Sequence, residues 1–122
     1  MTLEEIAAEL VAGVKENRAK ENLETLYAPD AVSVEPIDMG QGREAEGLDA
    51  IRAKHDWWEG AMEMLEASHD GPFLHAPDRF AVYYKMKTKE IATGKEHAMS
   101  EVGLYTVADG KIVREEFFYS AD

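Results

Sequence analysis

LDAIRAKHDWWEGAMEMLEASHDGPFL, residues 48–74, changes its hydrophobic period partway along, and that change decides the fold class. Leu48, Ile51, His55, Trp58, Met62 and Leu65 follow one another at steps of three and four, so they form one stripe along an α-helix. Gly60 interrupts that helix at a cost of about 1 kcal/mol relative to alanine. After Leu65 the period drops to two, the repeat of a strand with one buried face.

Upstream of this stretch the pattern is helical. Thr2 and Glu5 have the spacing of a capping box, and Leu3, Ile6, Ala7, Leu10, Val11 and Val14 then recur at helical steps. A short second helix carries Leu23, Leu26 and Tyr27 and is stopped by Pro29 and Asp30. Residues 31–35 read as a short strand closed by Pro36, and residues 37–47, with three glycines, read as loop. Downstream, strands are predicted over residues 66–74, 79–91, 97–107 and 112–119. They are joined by Ala76-Pro77-Asp78, Thr93-Gly94-Lys95 and Asp109-Gly110, all good turn formers. Helices followed by an antiparallel meander make an α+β fold, in which a strongly curved sheet wraps a long helix and leaves a pocket at its wide end.

The chain's 122 residues suit a single domain spanning 1–122. A formal charge of −12 repels phosphate backbones and anionic headgroups, so nucleic acid and membrane surfaces are not expected partners. No apolar run is long enough to span a bilayer, and the acidic, amphipathic start is neither a signal nor a transit peptide. With no cysteine there is no disulfide, thiolate nucleophile or thiolate metal site, which fits a reducing, cytoplasmic setting.

Leu26-Tyr27-Ala28-Pro29-Asp30-Ala31-Val32-Ser33-Val34-Glu35-Pro36 resembles the passage from helix to first strand of the NTF2-like superfamily, and two further runs resemble it in the right order. Gly47-Leu48-Asp49-Ala50-Ile51-Arg52 resembles its third-helix start, and residues 103–113 resemble its last hairpin. Within the superfamily the chain is most similar to SnoaL-like proteins, relatives of ketosteroid isomerases and polyketide cyclases. The resemblance implies a cone-shaped, cystatin-like fold of three helices in a curved sheet. Because the superfamily holds isomerases, cyclases, epoxide hydrolases, dehydratases and non-catalytic binding domains, it does not fix an activity.

Under that resemblance Glu35 falls where the isomerases place their general-base carboxylate. A carboxylate facing an apolar pocket is poorly solvated, which raises its pKa and makes it a better base near neutral pH. The plain alternative is an exposed acid beside a turn, one of 25 acids in the chain. His55 interrupts the apolar stripe and so faces inward by periodicity. It is either a donor or proton relay for a ligand, or a neutral core histidine bonded to a backbone carbonyl. Trp58 shares its stripe. Strand alternation groups Val82, Tyr84 and Met86, then Met99, Glu101, Gly103 and Tyr105, then Val113, Glu115, Phe117 and Tyr119, and the isomerase comparison turns these sets toward the cavity. The expected site therefore has Glu35 and His55 as catalytic groups, with Trp58, Tyr84, Met86, Met99, Glu101, Tyr105, Glu115 and Phe117 as walls. Aromatic residues on a concave face are also ordinary core. The first-helix position that matches the isomerases' oxyanion tyrosine is Val11, and the acid of that hole matches Gly103 best, two departures that argue against true ketosteroid isomerase activity.

Gly40-x-Gly42-x-x-Ala45 fits a relaxed dinucleotide pattern but lacks a βαβ unit around it. The four histidines have no metal-ligand spacing, no G-x-S-x-G elbow is present, and no metal or cofactor is expected. The expected ligand is a small hydrophobic molecule, bound by an isomerase- or cyclase-type proton-transfer enzyme or by a non-catalytic binding domain. Tyr83, Val102, Leu104, Ile112 and Phe118 are expected on the outer sheet face, an apolar patch suited to a homodimer.

Overall fold

Thr2 caps the first helix as its spacing predicts. Its hydroxyl accepts from the Glu5 backbone N–H at 3.2 Å, and the Glu5 carboxylate accepts from the Thr2 backbone N–H at 2.8 Å. In the computed structural model, which describes residues 1–38 and 42–119, this cap opens α1 (Leu3–Lys15). α2 (Ala19–Leu26) follows, then β1 (Tyr27–Val34), β2 (Glu44–Glu46), α3 (Leu48–Ala61), β3 (Met62–Phe73), β4 (Arg79–Glu90), β5 (Glu96–Ala108) and β6 (Lys111–Phe118). The six strands form one curved, unclosed sheet in the order β2-β1-β6-β5-β4-β3.

β3 to β6 are the antiparallel meander that the turns predict. Asp109 and Gly110 both have positive φ, as a two-residue hairpin turn of type I′ requires. β1 contains most of the strand expected over residues 31–35, and it lies parallel to β6, a pairing between distant segments that no local signal gives. β2 falls within the stretch read as loop, where it pairs Glu44–Glu46 against the free edge of β1. Tertiary pairing makes a strand there out of Glu-Ala-Glu, whose own preference is weak. Gly40, of the glycine pattern declined above, lies outside the described residues.

Two boundaries move. α2 ends at Leu26, and Tyr27 opens β1 rather than closing the helix. Pro29 sits in the irregular part of β1, between the paired residues Tyr27 and Val32, where its missing N–H breaks no ladder bond. α3 ends at Ala61, so Met62 and Leu65 belong to β3 although their spacing continues the helical stripe. Short apolar patterns do not separate helix from strand by period alone.

The helices line the concave face of the sheet. Ile6, Ala7 and Leu10 of α1, Leu23 and Leu26 of α2 and Ile51 of α3 are buried against Phe80 and Val82 of β4 and Ile112 of β6. Fully burying side chains of this size contributes roughly 1.5–3 kcal/mol each. α1 and α2 pack closely because Gly13 has no side chain: a Cβ there would lie 1.9 Å from the Asn22 amide, which instead donates to the Glu9 carbonyl at 3.2 Å.

Ile112 corrects the expected outer face, since it is fully buried. Thr106 pairs with Arg114 but Val107 with Ile112, so Val113 is an extra residue and the alternation of β6 flips across it. On the convex side Val102 and Phe118 are exposed, and Tyr83 and Leu104 are half-buried.

Candidate active site

Alternation along three neighbouring strands brings one polar and aromatic set to the covered part of the concave face. Tyr84 of β4 stands directly opposite Glu101 of β5, and Tyr105 of β5 stands opposite Glu115 of β6. Met86 and Phe117 continue the same faces. Leu10 and Val14 of α1, Ala19 and Asn22 of α2, Tyr27 and His55 of α3 close the space from the other side. The cavity, partly open to solvent, measures about 180 Å³. Val14, 37% exposed, marks its mouth, while the buried Tyr27, Tyr105 and Glu115 form its floor.

The aromatic walls are held in place. Tyr105 stacks on Phe80 with ring centroids 5.0 Å apart and meets Phe117 edge-on at 6.3 Å. Gly103 makes room for this arrangement, because a Cβ there would lie 2.9 Å from the Tyr105 hydroxyl. The Tyr84 and Tyr105 hydroxyls are 2.7 Å apart. One hydrogen joins the pair, and the second hydroxyl hydrogen remains for a ligand.

The carboxyls fall into two groups. Glu115 is tied down: the Tyr27 hydroxyl donates to it at 2.9 Å, and the Ser33 hydroxyl bonds it as well. Lys54 donates to Ser33 Oγ at 2.7 Å, which leaves the serine's own hydrogen for Glu115. Lys54 also pairs with Glu35 at 2.6 Å and lies 5.2 Å above the centre of the Phe117 ring. Glu101, by contrast, makes no hydrogen bond among the described residues. His55 makes none either, so the alternative of a ring held by a backbone carbonyl is not what the structure shows.

Burial sets the protonation of this set. Desolvation, reinforced by the charge of Glu35 and opposed by Lys54, pushes the Glu101 carboxyl up to about 7. Burial likewise raises Glu115, against Lys54 and the bonds from Tyr27 and Ser33. His55 is lowered by burial and then by the Lys54 charge, so its ring is neutral near pH 7, with one donor and one acceptor nitrogen. Burial holds the phenols of Tyr27, Tyr84 and Tyr105 above their ordinary range, where they act as donors.

Of the residues expected at the site, His55, Tyr84, Met86, Glu101, Tyr105, Glu115 and Phe117 line the one cavity. Three do not. Glu35 stands at the end of β1 beside Lys54, an ion pair rather than an acid isolated against apolar walls. Trp58 is half-buried on α3 but outside the lining. Met99, opposite Met86, lies in a shallow depression of the sheet with Lys87 and Ala98. The sequence reading missed Tyr27, Ser33, Asn22 and Lys54. Lys54 did carry a signal: three residues after Ile51 and four before Trp58, it shares their helix face. Among the described residues no group of three or more His, Asp or Glu side chains is placed to hold a metal ion.

A curved sheet folded over helices, with a polar and aromatic cavity between them, defines an NTF2-like, cystatin-like domain. The SnoaL-like domain family model matches residues 1–119, and the chain belongs to that family. Among solved structures, a candidate SnoaL-like polyketide cyclase from Mesorhizobium loti is 35% identical, with a TM-score of 0.90 over 98% of this chain and 100% of that one. A protein of unknown function with a cystatin-like fold from Xanthomonas campestris is 19% identical, with a TM-score of 0.77 over 100% of this chain and 92% of that one. An isomerase candidate from Bacillus subtilis is 20% identical, with a TM-score of 0.78 over 98% of this chain and 90% of that one. The last two likenesses speak for the fold alone. No curated protein matches the chain. Among the described residues no helix is long and apolar enough to cross a membrane.

Proposed function

We propose that this SnoaL-like protein binds a small, mostly apolar carbonyl compound and moves a proton on it without a cofactor, as an isomerase or cyclase does. One observation carries the proposal. Glu101, a carboxyl pushed up to about 7 and without a hydrogen-bond partner among the described residues, lines an aromatic cavity directly opposite Tyr84, whose hydroxyl pair has a hydrogen to spare. The phenol hydrogen polarises the carbonyl oxygen. The Glu101 carboxylate takes a proton from the carbon next to the carbonyl, and the C–H electron pair moves onto the oxygen as an enolate. Glu101 then returns the proton, to the same carbon or to a conjugated one. A carboxyl with a pKa near the working pH suits both steps. His55, neutral and unbonded, is the second donor. The likeness to the Mesorhizobium loti protein supports a chemistry of cyclase type.

This reading moves the base from Glu35, which lies outside the cavity and pairs with Lys54, to Glu101. The test is hydrogen–deuterium exchange next to the carbonyl of cyclic ketones in D₂O, followed by NMR. Glu101→Gln is expected to slow enzyme-dependent exchange by about 100-fold or more, while Glu35→Gln retains most of it. Exchange unaffected by Glu101→Gln removes Glu101 from the mechanism.

A second reading, a binding domain without catalysis, is favoured by the first helix, which offers the cavity Leu10 and Val14 and no hydroxyl. It predicts bound ketone and no exchange. We also propose that the convex patch of Val102 and Phe118 meets its copy in a homodimer; Phe118→Glu should then yield monomers in sedimentation velocity.

A further inference from the structure

The cavity is small. Pockets for drug-sized ligands measure about 300–1,000 Å³, whereas an apolar cavity of about 150 Å³ admits benzene. At about 180 Å³ this one has room for a single ring and a short substituent. Its walls leave little slack. Tyr105 is fixed between Phe80 and Phe117, and its hydroxyl occupies the space over Gly103. Close-packed walls do not expand without leaving their rotamers.

The lining also has a sign. Glu101 and Glu115 both contribute carboxyls, and among the described residues no lysine or arginine lines the space. The nearest ammonium, on Lys54, is spent on Glu35 and Ser33. A carboxylate ligand would therefore add negative charge where no free cation meets it, and a desolvated like-charge contact is costly. What the cavity does offer is neutral donors: the spare hydrogen of the Tyr84–Tyr105 pair and an N–H of His55. These suit the oxygen of an uncharged carbonyl.

From the dimensions and the donor set together, we infer that the pocket takes an uncharged, single-ring carbonyl compound and discriminates against both fused polycycles and carboxylates. The inference rests on the reading of this cavity as the ligand site, and it holds whether or not the bound compound reacts.

The experiment is calorimetric titration of the full chain at pH 7 with acetophenone, benzoate and a four-ring steroid ketone. Acetophenone is expected to bind at least 10-fold more tightly than each of the other two. A steroid ketone that binds as well overturns the size argument, and benzoate that binds as well overturns the charge argument. No binding by any probe overturns the inference entirely. Val14→Trp, at the exposed mouth, keeps the fold and is expected to weaken acetophenone at least 10-fold; unchanged binding there would put the ligand elsewhere and overturn the assignment. In Glu101→Gln the penalty on benzoate relative to acetophenone is expected to shrink, and an unchanged ratio contradicts the role given to Glu101. Deuterium exchange is read separately. The predicted selectivity without exchange removes the catalytic reading and leaves the ligand class standing.

Discussion

Two ends of the same sheet treat their glutamates differently. On the open arm, where β3 and the outer part of β4 extend past the helices, acids face basic side chains: Glu63 is opposite Lys89, Glu66 is opposite Lys87, and Glu90 meets the His97 ring at 2.6 Å. Under the helices the cross-strand neighbours are phenols, with Glu101 opposite Tyr84 and Glu115 opposite Tyr105. The arm's acids are solvated and screened, and contribute little to stability or chemistry. The covered acids have lost water, and the one ammonium near them, on Lys54, only partly offsets that loss, so burial raises both. Covering half of one sheet thus changes how tightly an ordinary residue type holds its proton.

The largest effect that would break this contrast is on pH-dependent stability. A carboxyl raised from 4.5 to about 7 on folding binds its proton more tightly in the folded chain. Its contribution is therefore full below about 4.5, is lost as the pH rises toward about 7, and changes little beyond. The loss amounts to at most about 3 kcal/mol. Glu115 acts in the same direction, while His55, lowered on folding, opposes it by weakening the fold in acid below about 6.5. Urea denaturation at several pH values is expected to show Glu101→Gln gaining stability relative to the parent between pH 4.5 and 7.5. Equal curves for Glu101→Gln and the parent would remove the contrast.

Gly103→Ala comes next. The new Cβ meets the Tyr105 hydroxyl at 2.9 Å, and because that ring is stacked on Phe80 it cannot move freely. A loss of about 1–3 kcal/mol is expected in thermal or urea unfolding, with the Tyr84–Tyr105 bond broken. Lys54→Met sharpens the contrast by removing the one cation near the covered acids. Glu101 and Glu115 are both expected to titrate higher and His55 higher too, since Lys54 lowers all three. The side chains of Lys54 and Glu35 are 28% and 21% exposed, so the stability cost is expected to be about 1–3 kcal/mol. Lys87→Ala on the arm, whose partner Glu96 is 3.6 Å away at the surface, should cost under about 1 kcal/mol.

Much of this arrangement was legible locally. The capping box, the helical stripes and the turns gave the order of elements, and period-two alternation put Tyr84, Glu101, Tyr105 and Glu115 on one face. The unread parts depend on contacts distant in sequence. The parallel seating of β1 beside β6 brings Ser33 and Glu35 within reach of Lys54, and no local pattern encodes it. Tyr27 looked helical because its spacing from Leu23 fits a helix, yet its backbone begins a strand that aims its hydroxyl at Glu115. The extra residue Val113 reversed the facing of Ile112, which strict alternation could not reveal. The resemblance to the isomerases implied a base at Glu35, but the cation that holds this residue comes from another element.

The most direct test of the account is a carbon-detected NMR titration of the glutamate carboxyls, with Glu101→Gln supplying the assignment. The account predicts a carboxyl that titrates near pH 7 and disappears in that variant. A Glu101 resonance that moves near its ordinary 4.5 would contradict it, because burial under the helices would then have left its carboxyl unchanged.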